Sequence, residues 1–279
     1  MSNDVTDPHE RHRRRVRRWA IAAAVVVVLA VAGIGTFAYL WSHGNARPVS
    51  LAEARRRFLA GKAADGSAGV YTPRAGVYAY TGSGSEELST PPKSQSEGPE
   101  MPGTVRHTGN GCWTFRLDYS TNSWRTWQYC ADAGGLRETG SRVYQRWDLV
   151  FTTVDNLAVV RCRPAAVVIE TGMRPGAEWE SECTGENSAI AGTTVTTGTH
   201  RFVGREPVEV DGQTVAALHF RDDRVVSGAQ RGTEEFDLWL TDEGLLVRGR
   251  QRIVVDSDSP LGNVTYTQEG TFSLVSAHP

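Results

Sequence analysis

Lysine is almost missing from this chain: Lys62 and Lys93 stand alone among 30 basic residues, and the rest are arginine. Cysteine is sparse as well. Cys112, Cys130, Cys162 and Cys183 include no Cys-x-x-Cys pair, so a structural zinc site of the usual spacing is excluded. There is no His-Glu-x-x-His, no Gly-x-Ser-x-Gly and no P-loop pattern, which removes the zincin, nucleophile-elbow and P-loop classes. His43, His107, His200, His219 and His278 are isolated in sequence, and Asp256-Ser-Asp258-Ser lacks the glycine and the later glutamate of a calcium loop. No metal, no cofactor and no catalytic set is expected.

Long apolar runs are lacking too, with one exception. Trp19 to Trp41, WAIAAAVVVVLAVAGIGTFAYLW, carries no charge. At about 1.5 Å per residue, as a helix it would cross a ~30 Å hydrocarbon core. Residues 1–18 form a basic tail in which Arg13, Arg14, Arg15, Arg17 and Arg18 adjoin the run. Clustered arginine keeps its flank in the cytoplasm and sends the far side out, and Trp19 and Trp41 lie where aromatic rings meet headgroups. The apolar core is longer than that of a cleaved signal, and Thr36-Phe37-Ala38-Tyr39 is a poor cleavage site. The sequence therefore predicts a single-pass anchor over 19–41, with a cytoplasmic N-terminus and an extracytoplasmic C-terminal domain.

The whole chain has a formal charge of −2; six arginines against Asp4, Asp7 and Glu10 make the tail +3, so the remainder is −5. A mildly acidic outer part argues against a nucleic-acid partner. All four cysteines lie in that part, and an even count in an oxidising compartment reads as two disulfides.

Residues 42–73 read as a juxtamembrane linker with a short helix over 51–60. Ser50 followed by Glu53 is a capping box. Leu51, Ala54, Phe58 and Leu59 make an apolar stripe, Arg55, Arg56 and Arg57 a wet face, and Gly61 a stop. Residues 74–279 alternate in short runs between turn residues, the pattern of an antiparallel β domain. Within it, 82–103 is rich in Ser, Gly, Pro and Glu and reads as a flexible loop.

Two hairpins carry the cysteines. With strands at 112–119 and 124–130 and Cys112 opposite Cys130, Trp113 opposes Tyr129, Phe115 opposes Trp127 and Leu117 opposes Arg125, all on one face. With strands at 159–169 and 177–184, Cys162 opposes Cys183. Asp211-Gly212 is a two-residue hairpin signal. A turn about Asp242-Glu243 would set Asp237 against Arg248 and Glu235 against Arg250. Some dozen strands in consecutive hairpins must curl, split or close. A strongly curved sheet, a half-open barrel, is the first expectation and a sandwich the second. Trp113, Phe115, Trp127 and Tyr129 are the candidates to line an apolar cavity on its concave face.

The order of the SLAEARRRFL helix, GVYAY, GCW, a W…YC strand, a W…EC strand, VGREPVEVDGQTV and DLWLTDEGLLVR resembles a group of uncharacterised actinobacterial membrane-anchored ectodomains. The coarse architecture is similar to the LolA/LppX-like lipoprotein-carrier fold, an unclosed antiparallel barrel with helices over its concave face. That resemblance implies binding of acyl chains or of a lipoprotein in the hollow, although this chain offers one outer helix rather than several. The expected function is a non-enzymatic, membrane-anchored extracytoplasmic module that binds a lipid or lipid-modified protein. A structural or sensory ectodomain that binds another envelope protein is the alternative, and a hydrolase comes third.

Overall fold

The computed structural model describes residues 45–61, 68–149, 152–259 and 262–279. The expected span 19–41 and its flank, from Arg13 through Arg18 with Trp19 and Trp41, lie outside these residues. Among the described residues no helix is long and apolar enough to cross a membrane.

Helix α1 spans Leu51–Ala60, and the Ser50 side chain accepts a hydrogen bond from the Glu53 amide at 3.2 Å. Its last carbonyls are satisfied from outside: the Arg106 guanidinium donates to the Arg57 and Phe58 carbonyls at 3.0 and 2.8 Å and lies over the Phe58 ring. This contact turns Phe58 and the buried Ala54 inward, while Leu59, assigned above to the same stripe, is 80% exposed.

The rest is one antiparallel sheet of fourteen strands. They are β1 (Gly76–Tyr78), β2 (Tyr80–Ser89), β3 (Pro92–Glu97), β4 (Gly103–Gly109), β5 (Cys112–Asp118), β6 (Ser123–Asp132), β7 (Gly135–Asp148), β8 (Thr153–Glu170), β9 (Glu178–Asn187), β10 (Ile190–Val210), β11 (Gln213–Gly228), β12 (Gln230–Leu240), β13 (Leu246–Ser259) and β14 (Gly262–Leu274). From β4 to β14 each strand pairs with the next. The opening segment curls the sheet: β1 pairs with β4 and β2 with β14, with only Ala79 between them. One stretch of chain thus holds both ends of the meander, and the sheet is a half-barrel.

The first cysteine hairpin has the expected register, with Cys112 opposite Cys130 and Phe115 opposite Trp127. Both disulfides, Cys112–Cys130 and Cys162–Cys183, are formed. Asp211 and Gly212 both have positive φ and join Val210 to Gln213, the two-residue turn that alternation on either side demands.

Two expectations need correction. Most of segment 82–103 is not a flexible loop but the β2–β3 hairpin and the start of β4. Its low apolar content misleads because its inward side chains, Glu86, Gln95 and Glu97, are polar yet buried. Glycines let this hairpin lie against its neighbours: a Cβ at Gly84 would stand 2.4 Å from Glu97 Oε2. The β12–β13 register is also displaced by two residues, so that Asp237 faces Arg250 and Glu235 faces Arg252. The loop is wider than a tight turn at Asp242-Glu243. Leu245 donates to the Thr241 hydroxyl at 3.2 Å, and Gly244 takes a positive φ.

Candidate ligand-binding hollow

Strands β8, β10 and β11 run to 18, 21 and 16 residues, far beyond the usual five or six or so. The half-barrel consequently has two storeys along the same strands. One is filled with aromatic rings. Trp113, Phe115, Trp127 and Tyr129 are 1, 1, 3 and 6% exposed and belong to one core cluster with Tyr80, Phe202 and Phe272. Trp113 packs on Tyr129 at 4.7 Å between centroids, Phe115 on Trp127 at 5.7 Å, and the Trp113 indole N–H donates to the Tyr71 carbonyl. A Cβ at Gly249 would meet the Phe272 ring at 2.1 Å, so that ring needs glycine beneath it. The four aromatic candidates are therefore brought together, but as packed core. None of them is in the wall of the hollow described next.

The hollow is in the other storey. It has a volume of about 430 Å3, inside the range of small-molecule sites. Val143, Trp147, Val160, Val226, Ile253 and Val255 supply much of its wall. The pleat explains their placement: residues at i and i+2 share a face, so Val154, Asn156, Ala158 and Val160 on β8 point inward together, as do Ile253, Val255 and Ser257 on β13. Mid-sized aliphatic side chains on opposite walls do not meet across the barrel as the aromatic rings do in the other storey.

A buried polar layer lies between the storeys. Arg224 reaches across the barrel, with its Nε 2.6 Å from Asp222 Oδ2 and its Nη2 3.2 Å from Glu138 Oε2. Burial opposes its charge, yet Asp222 and then Glu138 hold its pKa well above the usual arginine range. Gly198 admits its stem, since a Cβ there would lie 2.8 Å from Arg224 Cγ. Glu86 is fully buried and accepts from Ser123 and Tyr266 at 2.6 and 3.0 Å. Burial pushes its pKa up against the pull of these donors. Burial, then the Glu86 charge, pushes Glu97 well up, although Gln268 donates to it at 2.6 Å. Arg125, Arg224, Glu234, Tyr266 and Gln268 all face the hollow from this layer.

At one side of the layer three side chains stand in a row. The Ser181 hydroxyl is 2.6 Å from His200 Nε2, and His200 Nδ1 is 3.3 Å from Asp222 Oδ1. Burial lowers the His200 pKa more than Asp222 raises it.

Sequence reasoning did not single out Trp147, the one tryptophan among the described residues that lines the hollow, or either arginine of the floor. A signal for Arg125 was present: it is the lone charge on the aromatic face of its hairpin. For Arg224 half of the signal was local: Asp222 lies two residues away on β11, whereas Glu138 comes from β7.

No family model matches the chain, and no curated protein matches it significantly. Among solved structures, the hypothetical lipoprotein YmcC from Escherichia coli is similar at 10% identity over 80% of this chain and 96% of that one, with a TM-score of 0.33. A likeness of that degree carries no argument.

Proposed function

We propose that this chain is a membrane-anchored, extracytoplasmic binding module that holds the acyl chain of a lipid or of a lipid-modified protein. The single observation that carries this reading is the aliphatic hollow above a polar floor. The valine, isoleucine and tryptophan side chains that supply much of the wall, beside polar ones such as Asn156 and Gln230, offer a chain burial from water at roughly 25 cal/mol per Å2 of apolar surface. A curled, half-open antiparallel sheet is also the arrangement implied by the lipoprotein-carrier resemblance. The helices that cover the hollow in that fold have no counterpart in α1, none of whose residues lines it.

Native mass spectrometry with lipid extraction on the purified full-length chain tests the reading. Co-purifying acyl lipid that is lost in Val226→Trp is the expected result. A ligand-free mass for the wild type, with no change in Val226→Trp, overturns it and favours an ectodomain that binds another envelope protein.

A second reading, hydrolysis of an acyl ester, is favoured by the Ser181–His200–Asp222 row. Against it, Asp222 is engaged by Arg224, and its Oδ1 accepts no hydrogen bond among the described residues. Ser181 is also absent from the wall of the hollow. Labelling by a fluorophosphonate probe, abolished in Ser181→Ala, would establish hydrolysis; absence of labelling would end that reading.

A further inference from the structure

The two floor arginines are not in the same condition. Arg224 is bound by Asp222 and Glu138. Arg125 is as deeply placed, with its side chain 7% exposed, but its closest carboxylate oxygen, on Glu234, is 3.9 Å away and outside hydrogen-bond distance. Its buried Nε has no hydrogen-bond partner among the described residues. The guanidinium lies against the rings of Phe236 and Trp127, at 4.9 and 5.7 Å. Ring faces attract a cation but offer no oxygen. A guanidinium carries five donors in a fixed fork, and a buried one lacking acceptors is costly.

This group sits on the floor of the hollow, where β6 passes from the open storey into the filled one. Above it much of the wall is aliphatic; below it Trp127 closes the core. A ligand lying in the hollow therefore meets mainly apolar side chains along its length and one under-paired cation at its end.

We infer that Arg125 receives the head of the bound ligand, and that the ligand is a single-chain amphiphile with a carboxylate head, seated head-down with its tail along Val143, Val226 and Val255. The planar fork matches a carboxylate in bidentate fashion. The head is a monoanion because Arg224 is already neutralised, which leaves one cation to answer. Burial pushes the Glu86 and Glu97 pKa values up, which lessens the negative charge around Arg125 and leaves Glu234, at 3.9 Å, as its nearest carboxylate. This inference rests on the proposed apolar-ligand function and adds the polarity and direction of the ligand.

The test uses the full-length chain in lipid nanodiscs, with ω-bromododecanoate and ω-bromododecanol as probes. Bromine quenches indole on contact, and the signal is the part of the quenching that Trp147→Phe removes, corrected for empty discs. The acid should half-saturate that signal at a concentration about tenfold below the alcohol, and Arg125→Gln should abolish this preference while moving the alcohol by no more than about twofold. Arg125→Lys should retain part of the preference, because an ammonium keeps the charge without the fork. Equal binding of acid and alcohol by the wild type overturns the inference without any variant. Arg125→Gln that weakens both probes alike also overturns it, by showing that Arg125 only supports the wall. If neither probe quenches Trp147 in the wild type, the apolar-ligand reading itself fails.

Discussion

The filled and the hollow storeys of the half-barrel are built on the same strands and differ in what those strands point inward. On β14, Phe272 and Leu274 enter the packed end, whereas Val264 and Tyr266 enter the open one. On β11, Phe220 lies below Asp222 and Arg224, and Val226 lies above them. Large rings meet across the barrel and exclude space; valines and isoleucines at the same spacing leave it. The polar layer between them keeps the packed end closed to whatever occupies the open one. The proposed function assigns stability and binding to different lengths of the same strands.

Substitutions in the two storeys should separate these assignments. The largest effect is expected from Phe272→Ala, which removes a 2% exposed ring seated over Gly249 and should cost about 3–5 kcal/mol in denaturant unfolding. A loss below about 1 kcal/mol would mean that the packed end collapses around the gap. Replacing Cys162 and Cys183 together by alanine opens a loop of sequence separation 21 and should cost about 3 kcal/mol by loop-closure entropy. The far hairpin should loosen while the aromatic end keeps its near-ultraviolet signal.

The polar layer should show itself as a dependence on pH. The folded chain holds the Glu97 proton more tightly than the unfolded chain does. That contribution is complete below the ordinary glutamate pKa of about 4.3 and is lost as pH rises toward the folded value. Glu97→Gln does not ionise, so its unfolding midpoint should gain on the wild type as pH rises. A constant difference between the two from acid to neutral pH would show that burial does not hold this proton. The smallest effect on stability is expected in the hollow. Val264→Ala, on the wall, should cost under about 1 kcal/mol in unfolding, while acyl-probe binding weakens measurably. The reverse pattern would break the contrast between the storeys.

Much of the fold was legible in the sequence, and the reason is local. Where two strands are joined by a short turn, alternation sets which side chains share a face and the turn sets the register. That logic reached Cys112 opposite Cys130, Cys162 opposite Cys183, and the Asp211-Gly212 turn. It slipped by two residues at β12–β13, where Gly244 lengthens the turn. It also failed at β2–β3, because a strand whose inward residues are Glu86, Gln95 and Glu97 carries no apolar alternation to read. The site was less legible. An aromatic face was correctly read as pointing inward, but not as one whose interior is already occupied.

The sequence by itself determined a mostly antiparallel β domain, a capped helix at Leu51–Ala60, the two disulfides and the concave placement of the aromatic face. These rest on contacts between residues close along the chain. Only the tertiary structure decided that Gly76–Ser89 would join both ends of the meander, that rings would fill one storey and leave the other open, and that Arg224 would find two carboxylates while Arg125 found none within hydrogen-bond distance. Those outcomes depend on which side chains stand opposite one another across the barrel. Alternation states which way a residue points; it does not state what it meets there.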